Sequence, residues 1–160
     1  RAPAAERTIP VVIPADLSAV HRHLEARYPE EGCGVVFRRP DGTFRAVPLD
    51  NVYDVFRAKD PARYPRTNRT AYLFHPLRFQ QATDEADQAG EVLTCIFHSH
   101  CDVGAYFSAE DTRQAAPDGE PLFPGVAYLV VAVDQAKVTG QKLFAFQGGE
   151  FKELSQAQTP

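Results

Sequence analysis

Residues 97–111 read Phe97-His98-Ser99-His100-Cys101-Asp102-Val103-Gly104-Ala105-Tyr106-Phe107-Ser108-Ala109-Glu110-Asp111. The stretch opens on an apolar run that reads as a strand, Glu91 to Phe97. Two histidines follow, two residues apart. In an extended segment side chains at i and i+2 point the same way, so both imidazoles converge on one point. Cys101 to Phe107 reads as a loop, and Ser108 starts a short helix ending near Ala116. Asp111 falls on the first turn of that helix. Two histidines and one carboxylate are the ligand set of a catalytic zinc site, with the fourth position left for water. Ser108 and Asp111 also fit a capping box, S-x-x-[DE], which is purely structural and stabilises by about 1 kcal/mol. The two readings share one geometry, because a serine at a helix start can also aim its hydroxyl at an oxyanion.

A hydrolytic zinc site needs a general base for its water, and Glu31 in Pro29-Glu30-Glu31-Gly32-Cys33-Gly34 is the candidate. Glu30 is its alternative. The segment leads into a strand, Cys33 to Arg38, which turns at Pro40-Asp41-Gly42 and returns as Thr43 to Pro48. Upstream, Thr8 to Ile13 is β-rich and stops at Pro14. Asp16 caps a helix with Leu17, Val20, Leu24 and Tyr28 on one face, closed by Pro29. Val52 to Thr70 holds two prolines and Arg57, Lys59, Arg63, Arg66 and Arg69, and reads as a long exposed basic loop. Pro76 opens a helix bearing Phe79, Ala82, Ala86 and Ala89, closed by Gly90. Val126 to Val133 is the strongest strand. Lys142 to Gln147 and Glu150 to Leu154 make a final hairpin around Gly148-Gly149. Strands and helices mix without a strict βαβ repeat, so the fold class is α/β (α+β), a mixed sheet flanked by helices.

Composition sets the outer bounds. The chain has 160 residues, 44% apolar and 24% charged, which suits one globular domain over 1–160 and not a disordered chain. The longest apolar run, Val126 to Val133, is far short of the about 18 residues of a membrane span, so no membrane partner is expected. A mildly acidic net charge of −4 speaks against general nucleic-acid binding, which needs clustered cations, and 52–70 is the one locally basic stretch. Three cysteines form no disulfide framework and fit a reducing, cytoplasmic setting. The first seven residues lack the apolar core of a signal peptide. The chain has no methionine, so residue 1 is not a translation start, and an upstream segment stays open.

His98-x-His100, seven residues, Ser108, two residues, Asp111, with an upstream Glu31, resembles the JAMM signature of the MPN-plus metalloproteases. The order of elements resembles the whole catalytic domain over about residues 8–154. The resemblance implies a curved mixed sheet between helices, similar to the cytidine deaminase fold, although the H-x-E and P-C-x-x-C pattern of those deaminases is missing. It implies one zinc ion per chain on His98, His100 and Asp111, with Glu31 as general acid/base and Ser108 stabilising the tetrahedral intermediate. It implies a metallopeptidase or isopeptidase cutting after the C-terminal Gly-Gly of a ubiquitin-like or sulfur-carrier protein. The alternatives are an inactive MPN scaffold and a small-amide metallohydrolase. Relatives commonly carry proline after the second histidine and before the serine; Cys101 and Phe107 stand there. Cys101 is either a small side chain or a thiolate that competes for metal or acts as a redox-sensitive group. His21, His23 and His75 read as structural, Cys33 and Cys95 as buried hydrophobes, and Asn51 as a residue that could orient a loop near the cleft.

Overall fold

The computed structural model describes residues 11–154 of the chain. Among these residues six strands, β1 (Cys33–Arg38), β2 (Phe44–Leu49), β3 (Val92–Cys101), β4 (Ala127–Asp134), β5 (Lys137–Gln147) and β6 (Glu150–Glu153), form one open sheet in the order β2-β1-β3-β4-β5-β6. Neighbours are antiparallel except β3 (Val92–Cys101) and β4 (Ala127–Asp134), which run parallel. The parallel pair needs a crossover, and its chain carries α4 (Ala109–Ala115) over one face of the sheet. The fold is the mixed sheet with flanking helices that the sequence predicts.

Alternation along the strands sorts the core into two layers. On one face α1 (Ser18–Arg27) buries Val20 and Leu24, with Leu17 just before it, against Val36, Phe97, Leu129, Val131 and Val133. Leu24 is fully buried, so its truncation to alanine would cost about 2–5 kcal/mol. On the other face α3 (Pro76–Gln88) packs Ala82 and Ala86 with Val35, Phe37, Ile96, Tyr128 and Val130. Gly34 of β1 (Cys33–Arg38) sits where no side chain fits. A Cβ there would lie 2.2 Å from Cζ of Phe97 and 2.5 Å from the carbonyl oxygen of Val47 in β2 (Phe44–Leu49).

The structure departs from the sequence reading in five places. The β-rich start at Thr8–Ile13 lies partly outside the described residues, and its described part is not a strand. Pro14 lacks the N–H group a ladder needs; Val12 is held by burial and by accepting from Oγ1 of Thr94 at 2.7 Å, and Ile13 packs against the same core. Asp16 is not the N-cap of α1, which is Leu17; its carboxylate instead accepts from the Ser18 amide at 2.9 Å. The segment 52–70 is not one exposed loop. It contains α2 (Tyr53–Lys59), and Tyr53 is completely buried. Two turns of helix with one anchor are too short to show a period. Strand β3 continues through both histidines to Cys101, because β4 pairs with it along residues 95–101. Finally, β5 (Lys137–Gln147) starts before Lys142. Its turn from β4 uses Gln135 and Ala136 at φ 49° and 66°, so a tight hairpin forms without the Asn-Gly or Asp-Gly that would announce it.

Candidate metal centre

The histidines lie on the α3 side of β3, where Ile96, His98 and His100 alternate with Phe97 and Ser99 facing α1. Register places Cys33 opposite His98, so Glu31 enters the sheet beside the histidines. Gly32 is stitched to Ser99 twice: its carbonyl accepts from the Ser99 amide at 3.0 Å, and its amide donates to Ser99 Oγ at 2.8 Å. The Glu31 amide donates to the Asn68 carbonyl at 2.7 Å. Asn51 Nδ2 donates to the carbonyls of Glu31 and Ala71, both at 2.9 Å, while its Oδ1 accepts from the amides of Tyr53 and Leu73. Asn51 thus orders both the glutamate and the loop behind it.

The loop after β3 turns through Asp102 at φ 63° and Gly104 at φ 82°. It returns the Gly104 carbonyl to Nδ1 of His100 at 3.1 Å. A carbonyl only accepts, so Nδ1 carries the hydrogen and Nε2 presents its lone pair. Phe107 roots the end of this loop between Tyr128, Phe144 and Phe151 of the sheet, at ring distances of 4.7–5.4 Å. Ser108 then caps α4. Its Oγ accepts from the Asp111 amide, and Asp111 Oδ2 accepts from the Ser108 amide, each at 3.0 Å. The capping box and the cluster coexist, because the same Oδ2 lies 3.2 Å from Nε2 of His98 and 3.1 Å from Nε2 of His100.

The two Nε2 atoms are themselves 3.2 Å apart. Three donors held 2.0–2.1 Å from one tetrahedral zinc would be roughly 3.3–3.4 Å apart, so the triangle fits such an ion with little rearrangement. Glu31 also offers an oxygen within 4.8 Å of both histidine nitrogens. The buried group Glu31, His98 and His100 could therefore hold a metal ion, and Asp111 Oδ2 is nearer to both nitrogens than that limit. His98 Nδ1 and Glu31 Oε1 are buried without a hydrogen-bond partner. Tyr72 stacks on the His98 ring at 4.3 Å and Tyr106 meets the His100 ring edge-on at 4.7 Å, fixing both imidazole planes.

The two buried carboxyls are shifted in opposite directions. Burial pushes the Glu31 carboxyl well up, the nearby Asp111 charge adds to this, and Arg66 opposes it. Burial also raises Asp111, but the neighbouring His98 and His100 imidazoles and the hydrogen bond from the Ser108 amide outweigh it and hold it well down. Glu30, by contrast, is exposed. The Cys101 thiol is pushed up to about 12 by burial and by surrounding carboxylates, chiefly Glu31, which disfavours its thiolate. Cys33 and Cys95 are buried and their thiols are also raised, Cys95 to about 12. Glu31, His100 and Ser108 share a cavity of about 90 Å³ with Arg66, Arg69 and Tyr106.

The other histidines stand apart. His21 bonds Gln141, His23 lies edge-on to Phe97, and His75 caps α3 by accepting from the Leu77 amide. Three features had no sequence signal: the stacking of Tyr72, the Gly104 carbonyl, and the buried Glu110. Glu110 binds Arg113 at 2.5 Å and meets the Tyr53 hydroxyl at 3.5 Å, tying α4 to α2. Tyr106 lies inside the motif stretch, where an aromatic near a histidine could have been singled out.

The sequence matches the family of prokaryotic homologues of the JAB domain over residues 14–145. No curated protein matches it. Many solved structures are similar in fold, and two of them illustrate the likeness. One is the solution structure of a protein from Desulfitobacterium hafniense, 23% identical with a TM-score of 0.60, covering 86% of this chain and 84% of that one. The other is the solution structure of a protein from Salinibacter ruber, 24% identical with a TM-score of 0.55, covering 92% of this chain and 93% of that one.

Proposed function

The chain belongs to the prokaryotic homologues of the JAB domain, and from that premise we propose that it is a zinc-dependent hydrolase of amide or isopeptide bonds after the C-terminal Gly-Gly of a ubiquitin-like or sulfur-carrier protein. The observation that carries this reading is the triangle of His98 Nε2, His100 Nε2 and Asp111 Oδ2 beside a second, unpartnered carboxylate, Glu31. His98, His100 and Asp111 would hold the ion. When bound, zinc lowers the pKa of water to about 7 and polarises a carbonyl.

The protein's own groups do the rest. Glu31 takes a proton from the attacking water and delivers it to the leaving nitrogen as the carbon–nitrogen bond breaks. Its buried carboxyl holds a proton more tightly than an exposed one, which makes it the better base. Ser108 Oγ already accepts from the Asp111 amide, so its hydroxyl hydrogen is free to donate to the developing oxyanion in the shared cavity. Gly104, Tyr72 and Tyr106 keep the imidazoles aimed.

The test has two parts. The purified protein should hold about one zinc per chain, and zinc-loaded protein should cleave a folded Gly-Gly-terminated carrier carrying an extension. Glu31→Gln should keep the zinc and lose turnover. Zinc binding with no cleavage of any carrier, but cleavage of simple peptide amides, would favour the small-amide hydrolase. No zinc even after addition would leave a binding module.

A further inference from the structure

We propose that Arg66 and Arg69 form a carboxylate-binding subsite next to the metal centre, so that the preferred leaving group is a residue with a free α-carboxylate and not a lysine side chain. This rests on the hydrolase reading above and specifies its substrate. Both arginines line the cavity of about 90 Å³ that also holds Glu31, His100 and Ser108. Among the described residues neither forms an ion pair, whereas Arg27, Arg39, Arg45 and Arg113 all do. Arg66 spends one N–H on the Thr70 carbonyl at 3.1 Å. The Arg69 guanidinium bonds nothing among the described residues; only its backbone amide is engaged, by Thr67.

Unpaired guanidinium forks in a cavity are suited to a planar carboxylate, which they bind through paired N–H groups. Distance then selects the substrate. In a peptide the α-carboxylate of the leaving residue lies three bonds from the scissile carbonyl carbon. Groups that read it must share the small cavity of the groups that cut, and these two arginines do. An isopeptide through a lysine side chain places only methylenes at that point, and there the two cations would stay unpaired.

The experiment measures binding to zinc-loaded Glu31→Gln protein, which is blocked in turnover. The probes are a fluorescent peptide ending in Gly-Gly-Ala with a free carboxylate and the same peptide as its carboxamide. The acid should bind about ten- to a hundred-fold more tightly, as for hydrogen bonds to a charged group. Adding Arg66→Gln and Arg69→Gln should shrink that preference to about threefold or less, and Arg69→Gln alone, which breaks no contact within the fold, should reduce it partly. Equal binding of acid and amide, or binding of neither, overturns the subsite. So does an acid preference that survives both substitutions, because the carboxylate would then be held at the metal centre. Turnover by the wild type separates the two readings. Cleavage of both peptides at equal rates keeps the hydrolase and removes the subsite. Arginine-dependent binding of the acid without cleavage keeps the subsite and removes the hydrolase.

Discussion

Zinc should raise the melting temperature of the protein, and Asp111→Ala should erase that rise. The donor triangle has sides of 3.1–3.2 Å before any ion enters, so binding stabilises the native state with little reorganisation. At free zinc one hundred times the dissociation constant the gain is about 2.7 kcal/mol. For a domain of this size that is about 5–11 °C. In Asp111→Ala a hundredfold weaker site, at the same free zinc, retains about 0.4 kcal/mol, or about 1 °C. The substitution also removes half of the capping box. Its zinc-free baseline should therefore start about 2–4 °C lower, from a cap loss of about 1 kcal/mol. The assay is thermal unfolding followed by circular dichroism at buffered free zinc, with affinities measured by chelator competition. A full zinc response in Asp111→Ala would refute the reasoning. If Glu31→Gln lost the response instead, Glu31 would be the third ligand and the base would have to be sought elsewhere.

Ser108→Ala should lower kcat by about a hundred- to a thousandfold with KM little changed, as for loss of an oxyanion donor, and lower the melting temperature by about 2–4 °C through the lost cap; an unchanged kcat would leave the serine structural only. Gly34→Ala should cost about 3 kcal/mol, or about 6–12 °C, because the Phe97 ring is fully buried and the Val47 carbonyl belongs to the sheet backbone. A melting temperature within about 2 °C of the wild type would show that β1 and β2 yield easily. The stability of the metal-free protein should fall as pH rises above 4.5, the ordinary value for Glu31. The folded carboxyl keeps its proton to higher pH than the unfolded one. Its contribution is complete below 4.5 and is lost as pH rises through the raised folded value. Glu31→Gln should flatten this fall and be the more stable protein at neutral pH, as chemical denaturation across pH would show.

The fold was legible wherever the chain advertises burial by period or by punctuation. Leu17, Val20 and Leu24 mark α1, Pro76 and Gly90 bracket α3, and the run Val126–Val133 gives β4. The residues of the candidate site were legible because a metal centre demands particular side chains at particular offsets, and chain topology then brings Glu31 to His98 and His100. What escaped depends on contacts that leave no local mark. Tyr53 is buried by a partner on α4, and the Gln135-Ala136 turn is forced by the strands on either side of it. Tyr72 reaches His98 across the packed layer, 26 positions away in the chain. The basic character of 52–70 was plain in the sequence; which of its arginines face the cavity was not, because that depends on Asn51 and Asn68 folding the segment back.

The double stitch between Gly32 and Ser99 has a mechanical consequence. It makes Glu31 and the two histidines parts of one body, the sheet, while Ser108 and Asp111 ride on α4. An ion at the triangle would act as a rivet between the two bodies. Removing it leaves the spacing of Glu31 and the histidines unchanged and frees only the α4 end of the joint. Amide hydrogen exchange should therefore speed up along α4 on metal removal and stay slow at Cys33 and along β3, so that loss of metal loosens the lid of the site before its floor.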